Sequence, residues 1–241
     1  MNDFNRGVIG GNADTEVGLK SFMLGTYRWM MLAMLVTAGT AWVAGQMLLA
    51  SPAFAAFLGN PLVLLGFVIA IPFLFGGVAR KLPSMSMGGV LTFLFGFAAL
   101  MGVFVSYISV SYRVDVLLKI FFMTVALFGA LSMFGYTTKT NLTPYLKFAA
   151  IGFLVFVGYM VLSAFIPAIA PTGLAYTVMM AVGLVLISVI TAGQTQGLKA
   201  MYYGLEGDTE MLNKWSAMGA ASLLLSFINM FQFLLALFGR D

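Results

Sequence analysis

The side chains best placed to do chemistry lie in two late stretches that are otherwise apolar. One reads Gly193-Gln194-Thr195-Gln196, the other Leu225-Ser226-Phe227-Ile228-Asn229. Ser188, Thr191 and Thr195 form a stripe on the first of these, with Gln194 and Gln196 to either side. On the second, Gly219, Ser222, Ser226 and Asn229 recur at spacings of three, four and three, which draws one small, polar stripe along a helix. Hydroxyls and amides of this kind can bond across helices, worth about 0.6 kcal/mol per contact in lipid. They can also line a polar path or form a recognition surface. Hydrocarbon would leave Asn229 unpaired, so its stripe is expected to face other helices.

Other chemistry is limited by what is missing. The chain has no cysteine and no histidine, which removes thiolate nucleophiles, disulfides and imidazole ligands. The acids are Asp3, Asp14, Glu16, Asp115, Glu206, Asp208, Glu210 and Asp241, and none falls in the central part of an apolar segment. Proton relays and ion sites in membranes ordinarily rely on buried carboxylates or histidine, and calcium seeks several hard oxygens. Asp115 reads as a helix-start acid next to Arg113 and Lys119. Asp208-Thr209-Glu210 can offer weak cation binding or a dock for a basic partner, and a solvated loop is the simpler reading. No hydrolase elbow, zinc motif, phosphate loop or dinucleotide fingerprint occurs. No catalytic residue, metal or cofactor is expected, and the protein is expected not to be an enzyme.

The elements that hold these residues follow from composition. The chain has 241 residues, 61% hydrophobic and 8% charged, against about 25% charged in soluble domains. A spanning helix needs about 20 mostly apolar residues. Seven segments qualify, at 22–49, 62–79, 87–106, 116–136, 146–166, 174–198 and 215–238. Pro52, Pro61, Pro83, Pro144, Pro167 and Pro171 mark the breaks between them, while Pro72 predicts a kink inside the second. Residues 1–20 are read as a polar cytoplasmic tail and 21–241 as a single seven-helix domain. Ala33, Thr37, Ala41 and Gly45 place a small residue on one face of the first helix every four positions, a close-packing surface.

The net charge of +4 is scattered between apolar runs and forms no nucleic-acid patch. Arg6, Lys20, Arg80, Lys81, Lys139, Lys147, Lys199 and Lys214 fall on one side of the bundle; Arg113, Lys119 and Arg240 fall on the other. Arg28 lies just inside the first helix, within snorkelling reach of the basic side. The positive-inside rule then puts the N-terminus in the cytoplasm and the C-terminus outside. The partners expected are a lipid bilayer and a membrane protein.

Several stretches in order resemble the Bax inhibitor-1 family in its bacterial branch. They are Thr26-Tyr27-Arg28, Phe128-Gly129-Ala130-Leu131-Ser132 through Tyr136-Thr137-Thr138-Lys139, Gln194-Thr195-Gln196 before Lys199 and Tyr202, and Ser226-Phe227-Ile228-Asn229-Met230-Phe231. The resemblance implies six helices wrapped around a central seventh. It also implies links to pH-sensitive calcium leak, to cytoprotection and stress responses and, in some bacterial relatives, to regulation of a membrane-bound AAA protease. In the family the sixth helix typically reads Tyr-Asp-Thr-Gln and the seventh Leu-Asp-Phe-Ile-Asn, the two aspartates forming a proton-sensing pair. Gln194 and Ser226 stand at those positions here, Gly193 replaces the tyrosine, and Ile69-Ala70-Ile71-Pro72 occupies the region where members often carry a glutamate. Thr195, Gln196, Phe227 and Asn229 match. The expectation is a regulatory or interaction protein without carboxylate gating; the alternative is a calcium or cation leak with altered gating. Gln194 and Ser226 are expected to touch, provided that the last helix begins below the membrane surface.

Overall fold

A computed structural model describes the backbone of residues 3–239 and the side chains of residues 15–239. The side chains of Asp3, Arg6, Asp14, Arg240 and Asp241 lie outside that description. The described residues form helices and connecting turns, with no strand among them. Seven helices are long and apolar enough to cross a membrane. They are α1 (Asp3–Ala50), α3 (Pro61–Lys81), α4 (Met87–Phe104), α6 (Val114–Thr137), α7 (Thr143–Phe165), α8 (Gly173–Gly204) and α9 (Thr209–Phe238). Two short helices, α2 (Pro52–Leu58) and α5 (Ser106–Ser111), fill connections on one end of the bundle.

Local chemistry sets the helix starts. Ser51 and Asn60 accept from the backbone N–H of Phe54 and Leu62, and a proline follows each as the first helical residue. Ser86 caps α4 through the N–H of Gly89. Asp208 caps α9 through the N–H of Met211, after Gly207 turns the chain with φ 95°, a conformation open to glycine at no steric cost. Helix α3 continues through Pro72.

Helix α9 is the centre. In its most apolar stretch 56% of residues are buried, against 0% to 33% in the other six. It packs on α1, α4, α6 and α8, and Phe233 reaches Phe153 and Phe156 of α7 edge-on. Helix α3 sits furthest out, with no buried residue, and stacks Phe67 on Phe104 of α4.

Close approach depends on small residues, as lipid requires. Thr37 of α1 donates to the carbonyl of Ala98 on α4 (2.9 Å), and Ser109 donates to that of Ala41 (3.2 Å). The small face of α1 is therefore its contact with α4 and α5. At the α6–α8 crossing, Gly135 lies so close to Ala192 that a Cβ there would collide with the Ala192 carbonyl oxygen.

Two boundaries differ from expectation. The stretch read as a polar tail is helical, and its last residues belong to the bundle. Leu19 is buried, Gly18 lies against the Tyr202 ring, and Thr15 donates to Glu206. The final helix starts at Thr209 and not at residue 215, because Asp208 caps it there. Lys214, read as one of the charges on the basic side, is only 2% exposed. Its ammonium pairs with Glu210 one turn earlier (2.6 Å) and faces the Pro83 carbonyl (3.5 Å), which ties α9 to the α3–α4 connection.

Replacing Gly135 by alanine is expected to destabilise the bundle by about 1–3 kcal/mol, since the added methyl meets backbone that cannot rotate away. Gly129→Ala, one and a half turns earlier on α6 where a Cβ meets nothing within 4 Å, should be neutral or stabilising. Thermal unfolding of both variants in one detergent checks the contrast.

Candidate functional site where α8 meets α9

Gln194 and Ser226 touch. Ser226 Oγ donates to Gln194 Oε1 over 2.8 Å, joining α8 to α9. Ser226 is buried and Gln194 half-buried. The register explains the meeting. Gly219 faces Leu198 just as Ser226 faces Gln194, so in this antiparallel pair Lys214 lies about level with the end of α8. The first turn of α9 overhangs it, and that overhang brings Ser226 to the depth of Gln194. The contact is neutral on both sides.

The next residues of α8 hold a different neighbour. Thr195, fully buried, donates to the Thr191 carbonyl (3.1 Å) and lies 3.5 Å from Ser132 Oγ on α6. Gln196 works as a two-pronged clamp on the α6–α7 connection. Its Oε1 accepts from the Leu142 N–H and its Nε2 donates to the Thr140 carbonyl, both at 2.7 Å. Lys199 donates to the Tyr136 carbonyl (3.0 Å) and lies 5.0 Å from that ring's centroid, within reach of a cation–π contact. Four successive groups on one helix end thus bind α9, α6 and the loop after α6.

The remaining stripe residues do not bridge helices. Ser188 and Thr191 donate to the carbonyls of Leu184 and Ile187, four residues back on α8. Asn229 does the same toward Leu225. Ser222 is half-buried and hydrogen-bonds to none of the described residues. A hydroxyl in an apolar setting takes the nearest carbonyl lone pair, which its own helix supplies. The polar residues therefore form two interhelical contacts, one clamp and several self-satisfied positions, not a continuous path.

The acids are dispersed as well. Asp208 is a helix cap, Glu210 pairs with Lys214, and Glu206 accepts from Thr15. Asp115 pairs with Arg113 at an exposed helix start. No group of three potential metal-ligating side chains occurs among the described residues, and no buried acid is found there. The burial of Lys214 and the clamp role of Gln196, a residue named as a candidate, escaped the sequence reading. Lys214 carried a usable sign, an acid four residues before it, which is the spacing of a helical ion pair. The clamp role of Gln196 had no local sign, since its partners lie more than fifty positions away.

A further opening flanks this site. Helices α1 and α6 both rest on α9 and leave between them a groove of about 630 Å³, floored by Phe227 and Phe128. A smaller cavity of about 220 Å³, which shares Met34, Phe121 and Phe227, continues it along α1.

Gln196→Leu leaves the Leu142 N–H without its partner and is expected to cost about 1–3 kcal/mol. Ser226→Ala removes one interhelical bond and should cost about 0.6 kcal/mol. Hydrogen exchange separates the two: the first variant should raise exchange at residues 140–146, and the second should leave that segment protected.

Residues 19–241 match the family model described as "Inhibitor of apoptosis-promoting Bax1". An uncharacterized protein of Caulobacter vibrioides is 31% identical, with the match covering 100% of this chain and 99% of that one. The inner membrane protein YbhL of Escherichia coli K12 is 33% identical over 93% of this chain and 94% of its own length. A protein of Rickettsia prowazekii, RP147, is 30% identical over 95% and 93%. A match that begins where α1 enters the bundle and runs through the central helix is a match to the whole architecture, and the chain belongs to the Bax inhibitor-1 family of multi-pass membrane proteins.

Proposed function

We propose that this is a non-enzymatic inner-membrane protein that regulates or scaffolds membrane partners in a stress response, and that it works without a titrating centre. The observation that carries this reading is the neutral Ser226–Gln194 hydrogen bond at 2.8 Å, in a bundle whose described residues include no buried acid. Gating by protons requires a group whose charge changes. An amide and a hydroxyl keep theirs across the whole physiological range. The inner-membrane placement draws on the printed name of the Escherichia coli relative. The partner envisaged is a membrane protease or another membrane complex. The competing reading is a cation leak that lacks proton control, and the Thr195–Ser132 and Gln194–Ser226 contacts would be its polar interior.

Calcium flux through the protein in lipid vesicles, followed across roughly pH 6 to 8 where carboxylate pairs of raised pKa titrate, separates these readings. No flux above that of empty vesicles is expected. Flux that changes with pH would defeat the proposal, and pH-independent flux would favour the leak. The variant carrying both Gln194→Asp and Ser226→Asp places two carboxylates within contact distance and should acquire a pH-dependent change in stability, because like charges so close cannot both ionise freely.

A further inference from the structure

We propose that the groove between α1 and α6 is a binding site for one anionic phospholipid, taken from the leaflet at the basic end of the bundle. Its length fits a single leaflet. The lining runs from Lys20 to Met34 on α1 and from Tyr136 back to Phe121 on α6. At 1.5 Å per residue each wall is about 21–22 Å long. Half of a bilayer, headgroups included, is about 20–22 Å.

The chemistry along that length is graded as a lipid is graded. The deep part is walled by methionine and phenylalanine, with Phe227, Phe121 and Phe128 forming a continuous aromatic floor at ring separations of 5.6–5.8 Å. Methionine adapts its shape to irregular apolar ligands. Polar groups collect at the outer end. Lys20 lines the mouth, and Lys199 sits against Tyr136, which lines it too. Tyr136 lies at this level, as amphipathic rings do at a membrane interface, and Tyr27 lines the groove about 10 Å further in. Arg28 is exposed, one position beyond Tyr27 on the flank of the same helix. Neither Lys20 nor Arg28 pairs with an acid among the described residues. Glu16, one turn outward, does not line the groove. The mouth therefore has one cation to spare at headgroup depth, Lys20, with Arg28 about 12 Å further in at 1.5 Å per residue and within snorkelling reach of that level.

Gly129 keeps the groove open. It lines the cavity, and a Cβ at that position would meet nothing within 4 Å. Glycine weakens a helix interior, and here no neighbouring helix requires its small size, unlike Gly135. The space it leaves is space for a ligand.

The test is native mass spectrometry of the full chain, released from mild detergent after equilibration with equal amounts of phosphatidylglycerol and phosphatidylcholine. The wild type should retain one phosphatidylglycerol in preference to phosphatidylcholine. Gly129→Leu, which projects a branched side chain into the groove from a position where a Cβ meets nothing within 4 Å, should retain neither while unfolding at an unchanged or higher temperature. Lys20→Gln should lower the preference for the anionic lipid about fivefold, the worth of one basic residue near a charged headgroup; Lys139→Gln, outside the groove, should not. Equal retention of both lipids by the wild type would overturn the anionic assignment. Retention unchanged in Gly129→Leu would overturn the site, as would a second copy or another protein chain bound in place of the lipid.

Discussion

Hydrocarbon offers no hydrogen bonds, so every polar group that enters it must find its partner inside the bundle. That constraint falls hardest on α9, which carries Lys214, Ser216, Ser226 and Asn229 through the middle of the molecule. Each is met differently. Lys214 has Glu210 and the Pro83 carbonyl, Ser216 accepts from Thr26 of α1, Ser226 has Gln194, and Asn229 turns back on its own helix. No buried polar side-chain atom among the described residues is left without a partner. An ammonium as enclosed as that of Lys214 would cost several kcal/mol if its partner were removed. Its ion pair therefore fixes where α9 begins as firmly as the Asp208 cap does.

Burying one helix among its neighbours asks for some of them to come very near, and glycine decides which. Gly135 brings α6 onto the backbone of α8, Gly102 brings α4 onto Thr37 and Thr40 of α1, and Gly219 admits Leu198 against α9. Where glycine does not face a neighbour, the helices stand apart. Between α1 and α6 the inward side chains are long methionines and phenylalanines, and the two helices rest on α9 separately. The tight crossings thus have one origin, a hydrogen in place of a side chain at the inward position.

Much of this was legible in the sequence because membrane helices announce themselves by length and apolarity. The seven spans and the small face of α1 follow from residue type and spacing, and the Gln194–Ser226 meeting follows from the family resemblance. The ends were harder. Residues 15–20 and 209–214 are polar, and polarity alone does not distinguish a solvated tail from a helix turn packed on its neighbours. Leu19 and the cap at Asp208 decide the matter through contacts that arise in three dimensions. The stripes on α8 and α9 misled for a related reason. Spacing shows which residues share a face, but a serine or threonine on that face can satisfy itself on its own backbone, as Ser188 and Thr191 do. Central helices also have no outward face, so a polar stripe on α9 marks no special direction.

The neutral contact between α8 and α9 has a physical consequence for the whole bundle. A single charge at Ser226, 1% exposed, would need a partner of opposite sign or a shared proton to remain there. A hydroxyl and an amide need only each other. The α8–α9 junction is then held by packing and one modest hydrogen bond, neither of which depends on protonation. Charge-dependent contacts between elements lie at the basic end, where Thr15, Glu206, Glu210 and Lys214 join the start of α1, the turn after α8 and the start of α9; the Arg113–Asp115 pair at the other end is local to the start of α6. An equilibrium between two arrangements of these helices would be biased by whatever binds at that end or between α1 and α6, because a ligand shifts a conformational balance only through groups it contacts differently in the two states. The interior provides a fixed axis, and the surfaces around it provide the places where control can act.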